Sequence, residues 1–118
     1  MRVGIIGTGW VGTSVAMALL QAGVPRELLL HDVREGLAEG EAMDLSHGAP
    51  FLPAATVRAA EIAEMTDCDA VVIAAGRNGK PGESRLALLQ ENVAVVRSLG
   101  RALRGHGGLL VMVSNPVD

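Results

Sequence analysis

Tyrosine is absent, and the aromatic residues amount to one tryptophan, Trp10, and one phenylalanine, Phe51. That leaves no row of rings on which bases could stack, and a net charge of -3 gives no basic footprint for nucleic acid. Cysteine is equally scarce: Cys68 stands alone, so no disulfide closes within the chain, which fits a reducing compartment. Long unbroken apolar runs are missing too. The opening "MRVGIIGTGWVGTSVAMALLQAG" begins like a signal peptide, with an arginine before an apolar stretch. Gly4, Gly7, Gly9 and Gly12 interrupt it, and no A-x-A cleavage site follows. The same glycines break it too often for a membrane span. The expectation is a soluble cytoplasmic protein with neither nucleic acid nor membrane as a partner.

What is present is aliphatic. Apolar residues make up 49% of 118 positions, and with so few rings the core must come from Val, Leu, Ile and Ala, as in buried parallel sheets. The length suits one domain with a modest core. Short apolar runs alternate with helical spacing. "RVGIIG" reads as a first strand, and "WVGTSVAMALLQAG" as a helix ended by Gly23 and Pro25. "ELLLHD" is a second strand, and "GLAEGEAMDLS" a helix with Ala38, Ala42 and Leu45 on one side. "ATVRAA" is a weak third strand and "DAVVIAA" a strong fourth. From Ser84 to about Arg104, Leu86, Leu89, Val93, Val96 and Leu103 keep helical spacing. "GLLVMVS" is a fifth, buried-looking strand, and Pro116 in "NPVD" stops any further ladder. The order predicts a doubly wound α/β sheet in a single unit, residues 1–118, that stops before any helix covers its last strand.

Between the first strand and the first helix lies "GTGWVG", with Gly7, Gly9 and Gly12 in G-x-G-x-x-G spacing. Gly7 permits the tight turn, Gly9 lets a pyrophosphate approach the backbone, and Gly12 lets helix and strand pack closely. The helix start then offers amide groups and a partial positive charge to the phosphates. Three glycines in six residues are weak evidence in a chain holding fifteen. Asp32 strengthens it, lying twenty residues past Gly12 at the end of the second strand, where a carboxylate accepts hydrogen bonds from ribose hydroxyls. Such a carboxylate repels a 2′-phosphate, so NAD is favoured over NADP. The plainer alternative is that Asp32 caps the turn "HDVREG". Trp10, inside the motif, reads as a packing residue at the helix start, with stacking on a ligand as the alternative.

"AAGRNGKPGESR", residues 74–85, carries Arg77, Lys80 and Arg85 against one acid, Glu83, and is loosened by Gly76, Gly79, Pro81 and Gly82. In open α/β sheets ligands lie beyond the carboxyl ends of the strands, which puts this loop above a cofactor held by "GTGWVG". Two readings stand: a cationic lid closing on an anionic substrate, or a solvated loop whose charges keep it soluble.

"GTGWVG", Asp32, "AEGEAMDLSHGAPF", "AAGRNGKPGESRLALLQENV" and "VSNPVD", in that order, resemble the N-terminal half of the L-lactate/malate dehydrogenase family throughout the chain. The resemblance implies a Rossmann-type NAD-binding domain truncated before its catalytic domain, a small 2-oxo or 2-hydroxy acid as substrate, and a homo-oligomer at full length. It implies that Arg85 polarises the substrate carbonyl, and that Gly79, Asn115 and Asp118 also lie at the substrate. For the cofactor it implies Gly7, Gly9, Trp10, Val11, Gly12 and Asp32, with Gly76 and Arg77 on the adenine side and Asn92 in contact. Val113, Ser114 and Asn115 would border the nicotinamide. At position 79 the lactate branch usually carries Gln and the malate branch Arg; Gly79 matches neither. It removes the arginine that pairs a second carboxylate, and with Glu83 and "AEGEAMDLSHG" it sets the chain closer to the lactate branch.

Reducing a ketone also takes a proton donor. His31 adjoins Asp32 at the adenosine end, His47 falls in "LSHGAPF", and His106 in the turn "RGHGG" at the opposite sheet edge, so none suits that role. The resemblance puts the catalytic His, its Asp and a second Arg beyond residue 118, so this chain by itself is expected to be inactive. A stand-alone NAD-binding or redox-sensing module is a rival reading, and malate dehydrogenase another. An NAD-dependent glycosidase with a metal is disfavoured, since Cys68 in "TDCDA" precedes the fourth strand at the wrong edge. No metal site is expected.

Overall fold

The computed structural model describes residues 1–34, 36–48, 54–76 and 81–113. Five strands, β1 (Arg2–Ile6), β2 (Glu27–His31), β3 (Thr56–Ala59), β4 (Ala70–Ile73) and β5 (Leu109–Met112), alternate with helices α1 (Trp10–Ala22), α2 (Leu37–His47) and α3 (Arg85–Ala102). The strands form one parallel sheet in the order β3-β2-β1-β4-β5. The expected doubly wound α/β architecture is therefore what the chain adopts. The chain builds outward from β1 to β2 and β3, then returns to β1's other side with β4 and β5. That reversal places a topological switch point between β1 and β4, where ligands of such sheets bind.

The alternation of each strand divides the apolar residues between two faces. Val3, Ile5, Leu28, Leu30 and Val72 meet Ala16 and Leu20 of α1 and Ala38, Ala42 and Leu45 of α2. Ile6, Leu29, Val71 and Ile73 meet Leu99 of α3, Leu103 and Met65. Met65 ends a short 3-10 turn, Ile62–Met65, that the periodicity gives no sign of because it is too short to show a period. Glu61 and Glu64 hold that turn with a reciprocal capping box.

Three readings change. Trp10 does not pack: it is 94% exposed. Helix α1 turns Gly12, Ala16 and Leu20 to the sheet, and a residue two positions before Gly12 points about 200° away from that stripe at 3.6 residues per turn. Strand β5 is not buried, since Leu109, Leu110 and Met112 are all exposed at the sheet edge. In α3 the packed stripe is Asn92, Val95 and Leu99, continued by Leu103, while Leu86 and Val93 of the expected stripe face outward. A smaller shift concerns His47, which is the exposed last residue of α2 rather than part of a loop. Among the described residues no helix is long and apolar enough to cross a membrane.

Candidate cofactor site

The sheet edge at the carboxyl ends of β1, β2 and β4 opens into a cleft of about 540 Å³. Gly7, Gly9, Trp10, Val11 and Gly12 line it from the β1–α1 turn. Asp32 lines it from the end of β2, Gly76 from the segment after β4, and Asn92 from α3. Eight of the expected cofactor residues thus meet in one place.

The three glycines of the turn do different things. Gly7 has a φ of +98°, and a Cβ there would fall 2.7 Å from the Ala74 backbone. Gly12 lies so close under Gly7 that a Cβ would collide with the Gly7 carbonyl. Both are required by the fold. Gly9 is not: its φ is -77°, and the nearest atom to its missing Cβ is Arg34 Nη2 at 3.6 Å. No backbone packs over that position, only the end of one exposed side chain, so a ligand can approach the Gly9 backbone. Gly9 is also the N-cap of α1 and has no side chain to occupy the first amides, and no acid stands in the helix's first turn. The amides and the positive end of the helix dipole are left to an anion.

Asp32 is held as firmly as the glycines. Its side chain is only 4% exposed. Oδ2 accepts from the Thr8 amide at 2.8 Å and the Thr8 hydroxyl at 3.2 Å. Oδ1 accepts from the Arg34 amide at 2.9 Å, so the turn-capping alternative is also correct. The Arg34 guanidinium completes the set, with Nε 3.0 Å from Oδ1 and Nη2 3.0 Å from Oδ2. Burial pushes this carboxyl's pKa up, but the Arg34 hydrogen bonds, the Thr8 amide and the Arg34 charge together outweigh it. The group is held well below the usual carboxylate range. No motif singles out Thr8 or Arg34, although Thr8 lies inside "GTGWVG" and the pairing of β1 with β2 brings that turn to Asp32.

His31 ends β2 at the cleft, with Nδ1 3.0 Å from the Ala60 carbonyl. His106 lies at the other sheet edge, its Nε2 2.7 Å from the Cys68 carbonyl. Gly76, at φ +124°, packs against the buried Asn92, whose Oδ1 lies 3.1 Å from a Cβ position there. Arg85 is the first residue of α3 and is not among the cleft's lining residues. Val113 continues the β5 ladder through its amide to Ile73 and packs on the core, also outside the lining. Arg77, Gly79, Ser114, Asn115 and Asp118 lie outside the described residues.

A glycine turn on a helix start, a fixed carboxylate at the next strand and a cleft at the switch point are the arrangement that dinucleotide-binding sheets use. The family model for the lactate/malate dehydrogenase NAD binding domain matches residues 1–118. The chain belongs to that family. NAD is accordingly its cofactor, and the residues described above fit it. The chain is similar to the L-lactate dehydrogenase of Bacillus caldotenax, with 45% identity over 120 residues covering 99% of this chain and 38% of the relative. The L-lactate dehydrogenase of Kosmotoga olearia is 44% identical over 100% of this chain and 38% of its own length. Among solved structures, the ligand-bound minor L-lactate dehydrogenase of Enterococcus mundtii superposes with a TM-score of 0.94 at 41% identity, covering 99% of this chain and 38% of that one. The chain therefore spans well under half the length of these relatives.

Proposed function

We propose that residues 1–118 form the NAD-binding domain of a cytoplasmic L-2-hydroxyacid dehydrogenase, acting on lactate and pyruvate, whose catalytic domain is a separate part of the full protein. The observation that carries the reading is the Gly9 backbone, over which no other backbone packs, at the uncapped start of α1 and beside Asp32. In this reading the α1 amides hold the diphosphate and Asp32 accepts from the adenosine ribose. Val11 and Asn92 border the rest of the dinucleotide. Bound NADH supplies the hydride. Arg85, at the head of α3, stabilises the developing charge on the substrate oxygen, as a guanidinium does by charge-assisted hydrogen bonds. Gly79, Asn115 and Asp118 at the substrate, and Gly76, Arg77, Val113 and Ser114 at the cofactor, complete the assignment carried over from the family's motif. Lactate is favoured over malate because the similar proteins named above are L-lactate dehydrogenases.

Calorimetry of this chain with NADH is expected to show one site. Heat indistinguishable from dilution at millimolar NADH would remove the reading. Pyruvate reduction by the 118-residue chain alone is expected to stay at background. The full-length protein is expected to reduce pyruvate faster than oxaloacetate at equal concentration, and the reverse order would move the assignment to malate.

A further inference from the structure

A carboxylate offers about four lone-pair sites, and on Asp32 five donors already compete for them. Three of these, the Thr8 amide and hydroxyl and the Arg34 amide, are fixed by the turn. The other two belong to one group, the Arg34 guanidinium, whose side chain is 62% exposed while that of Asp32 is 4% exposed. Ribose hydroxyls are donors and need the same lone pairs. An unmodified adenosine ribose can reach Asp32 fully only after the guanidinium has moved off it.

A ribose bearing a 2′-phosphate makes the opposite demand. It brings only acceptors and negative charge, which a bare carboxylate repels and a guanidinium fork matches. Here the carboxylate is not bare. Arg34 neutralises it, and the guanidinium already hangs over the glycine turn, its Nη2 3.6 Å from the Cβ position of Gly9. Only Nε and Nη2 engage Asp32, so the remaining N–H groups of the guanidinium can reach a phosphate while it still neutralises the carboxylate.

We propose that Arg34 is a specificity-determining residue that lets this site accept the 2′-phosphorylated dinucleotide, NADPH, as well as NADH. This rests on the reading that Asp32 faces the adenosine ribose, and it modifies the expectation, drawn from Asp32 alone, that a 2′-phosphate is turned away.

Trp10 is the chain's single tryptophan and lines the same cleft, so its fluorescence reports binding of either cofactor. The chain and its Arg34→Ala and Arg34→Lys variants are titrated separately with NADH and NADPH, after circular dichroism has shown each to be folded. For the unaltered chain the two Kd values should agree within about tenfold. Arg34→Ala should widen the gap to about a hundredfold by weakening NADPH while leaving NADH unchanged or tighter, and Arg34→Lys should restore most of the NADPH binding. If Arg34→Ala does not fold, Arg34→Gln carries the same comparison. An NADPH/NADH ratio that the substitution does not move overturns the proposal, and so does equal weakening of both, the signature of a guanidinium stacked on adenine. Rejection of NADPH by the unaltered chain that binds NADH overturns it as well. Failure to bind either cofactor instead removes the underlying cofactor reading, and the proposal with it.

Discussion

At the scale of single residues, Gly9 and Gly12 separate binding from folding. Gly12→Ala drives a Cβ into the Gly7 carbonyl, a backbone atom that cannot yield without moving β1 or α1. The expected cost is about 3 kcal/mol or more, read as a fall in the urea midpoint. Gly9→Ala has room and an unstrained φ, so its cost should stay near the N-cap preference, at most about 1 kcal/mol. The added methyl nevertheless covers the amide that a diphosphate must reach, and NADH affinity should fall by about tenfold or more. Asp32 gives a pH signature. Its folded-state pKa lies below the ordinary value of about 4, so its contribution to stability is complete above that pH and is lost as the pH falls further. Urea midpoints measured from pH 6 downward should therefore drop less steeply for Asp32→Asn than for the unaltered chain. Parallel curves would mean that the carboxylate contributes no pH-dependent stability.

At the scale of elements, the two helices that frame the cleft begin differently. Helix α3 starts at a true cap, the Ser84 hydroxyl accepting from the Ala87 amide at 3.1 Å. Helix α1 starts at Gly9, which has no side chain to cap it. A start stripped of its cap is marginal unless something else supplies the acceptor, and in α1 the packing of Gly12, Ala16 and Leu20 holds the helix while its amides stay available. Ser84→Ala should cost about 1 kcal/mol and lower Tm by roughly 3–5 °C. Because Arg85 follows directly, the same change frays the turn that carries that guanidinium. Full-length enzyme with Ser84→Ala should lose kcat more than it gains in KM.

At the scale of the whole molecule, the sheet is covered unevenly. α1, α2 and α3 bury the middle strands, whereas Leu109, Leu110 and Met112 leave an apolar stretch open along the β5 edge. An open parallel edge with apolar side chains invites pairing with another chain. Light scattering on this 118-residue chain should show an apparent mass that rises with concentration, and Leu110→Lys with Met112→Lys should suppress the rise. A concentration-independent monomer mass before substitution would show that the edge is inert.

The sequence by itself determined the order of the five strands and three α-helices, because the central strands, buried on both faces, are apolar runs and the helices keep a 3.6-residue period. It also determined the cofactor, through glycine spacing and an acid at a set distance, because a tight turn and a close phosphate approach admit no side chain. Only the tertiary structure decided which glycine of the turn has its backbone open to the cleft, since Gly7 and Gly12 are filled by the fold's own backbone and Gly9 is not. It likewise decided that Trp10 faces solvent, that β5 lies open, and that the Arg34 guanidinium lies against the Asp32 carboxylate. Those outcomes depend on which neighbours the sheet order brings within reach, and no local spacing encodes that.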